Sequence, residues 1–203
     1  MGKKTQNLRS LLKQGINVHD FQELTTKTEL LHYLEQHQKI SIRFDREKEI
    51  EDLPFYTLEL GQNDFSEQVE EIVAQAKQLN CTLLVSNGHQ YDEIQICNFV
   101  GKMAAGDRFF IELSTKKVPL RRMYDGKTTV VEGSFLDNVQ KFHFVRKEEN
   151  PIEKKSLEQI VLFLMQLNLE DCYIEGTLYP KPVGMLHQPI VAWQIREEKT
   201  YGR

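Results

Sequence analysis

Glu175, Gln194 and Arg196 stand near one another in the stretch YIEGTLYPKPVGMLHQPIVAWQIR at 173–196. The stretch has the form of two alternating strands joined by a Pro/Gly-rich turn. In the first strand Ile174, Gly176 and Leu178 share one face, and Tyr173, Glu175, Thr177 and Tyr179 share the other. In the second, alternation puts Val191, Trp193 and Ile195 on one side and Gln194 and Arg196 on the opposite side. An antiparallel hairpin would bring Glu175, Gln194 and Arg196 to one polar face. A carboxylate holds a hard divalent cation and a guanidinium neutralises phosphate, so the trio suits a magnesium-bound polyphosphate. It equally suits a plain solvated hairpin face with incidental charges.

Other cations bear on the same chemistry. Arg43 sits inside KISIRFD, which alternates strictly: Ile40, Ile42 and Phe44 on one face, Ser41 and Arg43 on the other. Such an arginine either decorates a surface or points into a cleft. The most basic stretch is STKKVPLRRMYDGK, with Lys116, Lys117, Arg121, Arg122 and Lys127. It has the composition to clamp phosphates, to bind an acidic partner or nucleic acid, or simply to be a solvated loop. Its RMYDG is loosely similar to the lysine-x-Asp-Gly motif of covalent nucleotidyltransferases. Arg122 stands where the nucleophilic lysine would be, and a guanidinium forms no phosphoramidate, which excludes that chemistry.

Composition narrows the classes. The chain has 203 residues, 40% hydrophobic and 28% charged, enough for a real core in one domain or two small lobes. A net charge of -4 and a pI near 5.9 argue against a nonspecific nucleic-acid or membrane-surface binder. No apolar run has the length of a membrane span, and the polar N-terminus has no apolar core of a signal peptide. Cys81, Cys97 and Cys172 are odd in number and lack metal spacing, so reduced thiols in the cytosol are expected.

The elements that must position these residues follow from periodicity. Leu8, Leu11 and Leu12 predict a helix that Gly15 ends, followed by an extended segment at 16–18. Thr28 is the expected cap of a helix carrying Leu30, Leu31 and Leu34. Pro54 makes DLPFYT an edge or irregular segment. Ser66 precedes an amphipathic helix with Val69, Ile72, Val73, Ala76 and Leu79. CTLLVSNG predicts a buried strand, YDEIQICNFVGKM with DRFFIELS a hairpin, and TTVVEGSF a further strand. VRKEENPIEKK is expected to be a charged linker, ending at a capping box of Ser156 with Gln159 that opens a largely buried helix. The mix is α+β, with antiparallel sheets and packed helices on one face.

Three separated stretches together resemble the nucleotide-binding domain of phosphoenolpyruvate synthase and pyruvate phosphate dikinase. GKKTQNLRSLLKQGINVHDF is similar to that domain's opening, SIRFD to its arginine-bearing strand, and YIEGTLY with WQIR to its closing pair of strands. The resemblance implies an ATP-grasp-like fold over 1–203, with ATP and magnesium as cofactors and lobes at 1–80 with 150–203 and at 81–149. It implies Lys4 and Arg43 on phosphate, Glu175 on the metal, and Gln194 and Arg196 on the closing strand. Lys4, Arg43 and Arg196 would neutralise the transferred phosphoryl group. Glu112 is the expected second acidic ligand, and Lys117 and Arg121 are the loop cations expected to reach the nucleotide. His19, Phe44, Asp45, Gly176, Thr177 and Glu197 depart from the family's pattern. The family's phosphohistidine domain and substrate barrel are absent from the 203 residues, so the acceptor would come from a substrate or a partner protein, by analogy a histidine. Two other classes stay open: a degenerate, non-catalytic module that binds a nucleotide or a protein, and an RNA- or nucleotide-binding regulator using the basic loop at 115–127.

Overall fold

The computed structural model of the protein describes residues 2–47, 53–61, 65–87, 94–104, 108–115, 128–136, 139–146, 152–167 and 172–197. The chain divides into two compact units, residues 1–13 with 18–93, and residues 14–17 with 94–203.

The first unit contains α1 (Lys3–Lys13), β1 (Phe21–Leu24), α2 (Lys27–His37), β2 (Lys39–Asp45), β3 (Phe55–Glu59), α3 (Phe65–Gln78) and β4 (Thr82–Ser86). Its four strands pair antiparallel in the order β1-β4-β2-β3, so Pro54 does lead into an edge strand. The alternation of KISIRFD decides the layering. Ile40, Ile42 and Phe44 enter a core with Leu83 and Val85 of β4, under Leu30 and Leu34 of α2 and Val69 and Ile72 of α3. Each such fully buried aliphatic side chain contributes roughly 1.5–3 kcal/mol relative to exposure. Ser41, Arg43 and Asp45 occupy the other face. Thr26, not Thr28, caps α2. Its hydroxyl accepts from the Glu29 backbone N–H while the Glu29 carboxylate accepts from the Thr26 backbone, a reciprocal capping box. Gly15 takes a positive φ of 77°, the conformation expected where a helix is terminated.

The second unit contains β5 (Cys97–Ala104), β6 (Arg108–Ser114), β7 (Thr129–Leu136), β8 (Val139–Arg146), α4 (Lys154–Gln166), β9 (Cys172–Val183) and β10 (Gln188–Glu197). All six strands are antiparallel, in the order β10-β9-β5-β6-β7-β8. Because β9 pairs with β5, residues 150–203 stay with 94–149 and do not join the N-terminal lobe as expected. β8 was not expected as a strand. α4 covers the apolar face: Phe163 meets Phe99 edge-on at 6.1 Å, and Leu164 lies so close to Gly101 that a Cβ there would be 2.7 Å from its Cδ1. The helix starts after Glu153 with no side-chain cap, and Ser156, expected as the cap, is buried inside its first turn.

A single asparagine fixes the β9–β10 turn. Asn17 Nδ2 donates to the carbonyls of Val183, Gln188 and Ile190, and Asn17 Oδ1 accepts from the Leu186 N–H. The Ala192 N–H also donates to the Asn17 carbonyl. No helix among the described residues is long and apolar enough to cross a membrane, and none of the three cysteines forms a disulfide.

Candidate functional site

Register, more than sequence proximity, assembles the site of the second unit. Gln194 pairs with Glu175, Glu175 with Val100, and Val100 with Glu112, on four consecutive strands. Cross-strand partners share a face, so these four side chains form one row. The opposite face holds Ile195, Ile174, Gly101 and Ile111, the next row along, under α4. Glu175 and Gln194 are therefore direct neighbours, as the hairpin expectation had it. Glu112, 63 residues earlier in sequence, joins the same row two strand spacings from Glu175, or roughly 9.6 Å between Cα atoms. Val100 stands between the two carboxylates.

All three polar side chains are sequestered. Glu175, Gln194 and Glu112 are 5%, 4% and 8% exposed. Burying a carboxylate is costly unless hydrogen bonds or a cation compensate it. Glu112 accepts the hydroxyl of Thr128, itself buried. Two carboxylates and an amide oxygen are hard oxygen donors of the kind that hold magnesium. No group of three or more His, Cys, Asp or Glu among the described residues is arranged to hold a metal ion, so protein ligands would be few.

A second polar line runs beside the row. Thr177 pairs with Asn98, and Asn98 with Ser114. Thr177 Oγ1 donates to Asn98 Oδ1 at 2.6 Å and accepts from Trp193 Nε1 at 2.7 Å. Here the structure corrects the strand alternation. The register shifts between Ala192 and Gln194, so Trp193 is a bulge residue whose indole reaches the face of Thr177 and not that of Ile195. Val191 pairs with Thr177, so it too shares the polar face that it was expected to oppose. On the row's other side, Lys102 Nζ lies 4.8 Å from the centre of the Tyr173 ring, and Arg196 is opposite Tyr173 in register. The Arg196 side chain lies outside the described residues, as do Lys117 and Arg121.

Lys4 and Arg43 belong to the first unit. Lys4 is the second residue of α1, and the start of that helix is already answered by a carboxylate of the protein. Asp45, 2% exposed, accepts from the backbone N–H of Lys4 at 2.9 Å, and from the N–H and hydroxyl of Thr5, both at 2.8 Å. A helix N-terminus with its unpaired N–H groups attracts an anion. Here Asp45 is that anion. Gly2 permits the approach, since a Cβ there would be 2.1 Å from the Asp45 carboxyl carbon. Burial pushes the nearby Cys81 thiol up, with the Arg46 and Lys4 charges pulling it down. The Arg43 guanidinium lies 5.6 Å from the centre of the Phe55 ring.

Glu175, Gln194 and Glu112, singled out from the sequence, lie on one face, and Asn98, Trp193 and Lys102, which the sequence reading did not single out, lie on it too. Only long-range pairing and a bulge bring those three in.

No protein-family model matches the sequence, and no curated protein matches it. Solved structures do. The D-alanine–D-alanine ligase of Helicobacter pylori matches with a TM-score of 0.58 at 11% identity, over 96% of this chain and 53% of the ligase. The D-alanyl-alanine synthetase A of Vibrio cholerae matches with a TM-score of 0.55 at 11% identity, over 96% and 55%. An ATP-grasp ligase of Chryseobacterium gregarium, solved with ADP and a leader and core peptide, matches with a TM-score of 0.50 at 12% identity, over 95% and 51%. The chain spans about half the length of these proteins. They are ligases, so they lend no support to the narrower phosphoenolpyruvate synthase type. What they share with this chain is the architecture: the α+β ATP-grasp fold.

Proposed function

We propose that the protein binds ATP with magnesium on the polar face of its six-stranded sheet, and uses it to activate an acceptor on a second molecule. The observation that carries this reading is the buried row Gln194–Glu175–Val100–Glu112 on a fold otherwise found in ATP-grasp ligases. Glu175 and the Gln194 amide oxygen are the assigned metal ligands, with Glu112 as the second carboxylate. Magnesium, when bound, supplies neutralisation of the phosphate oxygens. The chain's own part is positioning and charge. Carboxylates fixed in adjacent strands are preorganised, and cations beside them favour the charge that develops on a phosphoryl group in transfer. Lys102 and Arg196 are assigned that role on this face. Lys117 and Arg121 in the basic loop are proposed as phosphate contacts on composition, while for Lys4 and Arg43 that role rests on the resemblance alone.

The acceptor is proposed to be a ligase substrate such as a peptide or protein group. The peptides bound by the Chryseobacterium enzyme favour this over the phosphohistidine implied by the synthase type. A second reading keeps the fold as a binding module without turnover, in the cytosol as the first. The single carboxylate next to a neutral glutamine favours it.

Thermal unfolding with ATP and magnesium tests the site. At a hundred times its dissociation constant, a ligand adds roughly 2.7 kcal/mol. The expected result is a magnesium-dependent shift that shrinks in Glu175→Gln. ADP release with a peptide acceptor separates the enzyme from the module, and absence of any nucleotide shift overturns the enzyme and leaves only a module that binds a protein.

A further inference from the structure

We propose that the outer edge of β3, with the cleft beside it, docks an extended segment of another polypeptide that carries lysine or arginine, adding it as a fifth strand to the sheet of the first unit. The inference is independent of the nucleotide reading and uses main-chain groups, not the polar face of a sheet.

Hydrogen-bond parity decides which groups of β3 face outward. The Phe44 N–H donates to the Pro54 carbonyl, and the Leu60 N–H to the Gln38 carbonyl. Antiparallel strands exchange such bonds at every second residue pair, so between those two points the bonded pairs are Ile42 with Tyr56 and Ile40 with Leu58. The N–H and C=O groups of Thr57 and Glu59 therefore point away from β2. β3 ends its sheet, and no strand among the described residues lies beyond it. In the second unit, by contrast, the edge strand β10 is met by Asn17, whose carbonyl accepts the Ala192 N–H. A bare edge is a template for another strand unless a charge, a proline or a bulge blunts it. Pro54 precedes β3 and Glu59 closes it, but Tyr56, Thr57 and Leu58 between them carry no charge, and the register with β2 runs without a shift.

The cleft selects the partner. It has a volume of about 720 Å³ and lies between β3 and α3. Tyr56, Leu58 and Ile72 give it an apolar floor, and Gln68, Glu71 and Gln75 stand along α3 at helical spacing. The Tyr56 hydroxyl donates to Gln75 Oε1 at 2.6 Å, which ties the two walls together. Among the described residues that line the cleft, Glu71 alone is charged. A strand added about 4.8 Å beyond β3 sets alternate side chains over this cleft. A lysine or arginine there lays its methylene stem on Tyr56 and Leu58 and brings its cation to Glu71. Main-chain bonds to Thr57 and Glu59 give the affinity, and the cleft gives the choice of side chain. A second copy of β3 is a poorer occupant, because FYTLE offers no cation.

Fluorescence anisotropy with the whole chain tests this, using a labelled peptide of alternating lysine and valine. Its lysines then face the cleft, and its valines pair with Thr57 and Glu59. The same peptide methylated on each valine nitrogen loses the main-chain donors and is expected to bind at least about tenfold more weakly. Thr57→Pro removes an N–H that β2 does not use, so it is expected to keep the urea midpoint and to weaken the peptide to a similar extent. Should its midpoint fall, the methylated peptide carries that arm on the wild-type chain. Glu71→Lys, on the exposed side of α3, is expected to weaken the lysine peptide about three- to tenfold and to tighten a peptide of alternating glutamate and valine. Equal binding of the methylated peptide overturns strand addition, and a Glu71→Lys variant that binds the lysine peptide as wild type does overturns the role of the cleft. A wild-type dimer in sedimentation that Thr57→Pro dissociates gives the edge to a second copy and overturns the peptide partner. Absence of binding by the lysine peptide overturns the whole proposal and leaves the nucleotide site standing.

Discussion

Two antiparallel sheets built on the same alternation put their polar faces to different uses. In the first unit, polar groups close local structure. Asp45 at the end of β2 is satisfied by the first turn of α1, and α2 is stopped at its start by a box of Thr26 and Glu29. In the second unit, α4 begins without a side-chain cap, while buried oxygen donors line up across four strands. Folding alone does not require that row. A run of apolar side chains would fill it with less desolvation, and the proposed nucleotide site is what the row would serve.

The largest effect should come from breaking the closure of the first unit. Asp45→Ala removes a buried carboxylate and leaves three donors of α1 unanswered. Cap losses and lost charged hydrogen bonds together put the cost at about 3 kcal/mol. Gly2→Ala should act in the same direction by pushing the carboxylate away. Urea unfolding of both variants measures this. Full stability of Asp45→Ala combined with loss of nucleotide binding would reverse the comparison, making the first sheet the ligand-bearing one.

Next comes the row itself. Glu175→Gln should fold as wild type does, because a glutamine preserves shape, yet lose most of the roughly 2.7 kcal/mol that saturating ATP with magnesium adds. A variant that keeps the whole magnesium-dependent shift would remove Glu175 from the metal.

The apolar face beneath the row makes a smaller, sharper test. At Gly176 a Cβ would be 2.7 Å from Phe99 Cζ and 3.0 Å from the backbone oxygen of Val191. The ring can yield, but the strand backbone has less room. Overpacking of this kind costs about 1–3 kcal/mol, so Gly176→Ala should lower the urea midpoint. Because Gly176 adjoins Glu175, nucleotide affinity should fall with it. An unchanged midpoint would mean that β9 shifts freely against β10, and the row would not be preorganised.

What was legible in the sequence tracks how local its cause is. Strict alternation placed β2 at 39–45, and apolar spacing placed the helix around Val69 and Ile72. Glu175 beside Gln194 was legible because a hairpin is a short-range pairing. β1 is four residues long, too short to alternate convincingly, and the charges of VQKFHFVR hid β8. The Ser and Thr caps went wrong where several candidates lay within a few positions. In TTKTE the choice of Thr26 over Thr28 follows from its three-residue spacing to Glu29, a signal present but not used. The row's full membership was out of reach, because pairing β5 with both β6 and β9 joins residues 79 positions apart. The bulge at Trp193 defeats any reading by strict alternation.

The smallest effect separates how the two units start their helices. The Glu29 carboxyl is held below its usual range by hydrogen bonds from the Thr25 backbone first, then from the Thr26 side chain and backbone. A carboxylate depressed in the folded state contributes stability that is fully present above its unfolded value, near 4.5, and is lost as the pH falls through the lower folded value. Glu29 is almost fully exposed, so this contribution is heavily screened, and the cap as a whole is the better target. Thr26→Ala should cost about 1 kcal/mol at neutral pH, and the difference from wild type should narrow below pH 4.5 as the box loses its charged half. Glu153→Ala, at the start of α4, should move neither quantity, because its side chain makes no capping hydrogen bond. Urea unfolding of both variants across pH 3–7 is the measurement. An equal loss in both would mean that α4 depends on its first turn as much as α2 does, and the contrast between a locally closed unit and a ligand-bearing one would have to rest on Asp45 and the row alone.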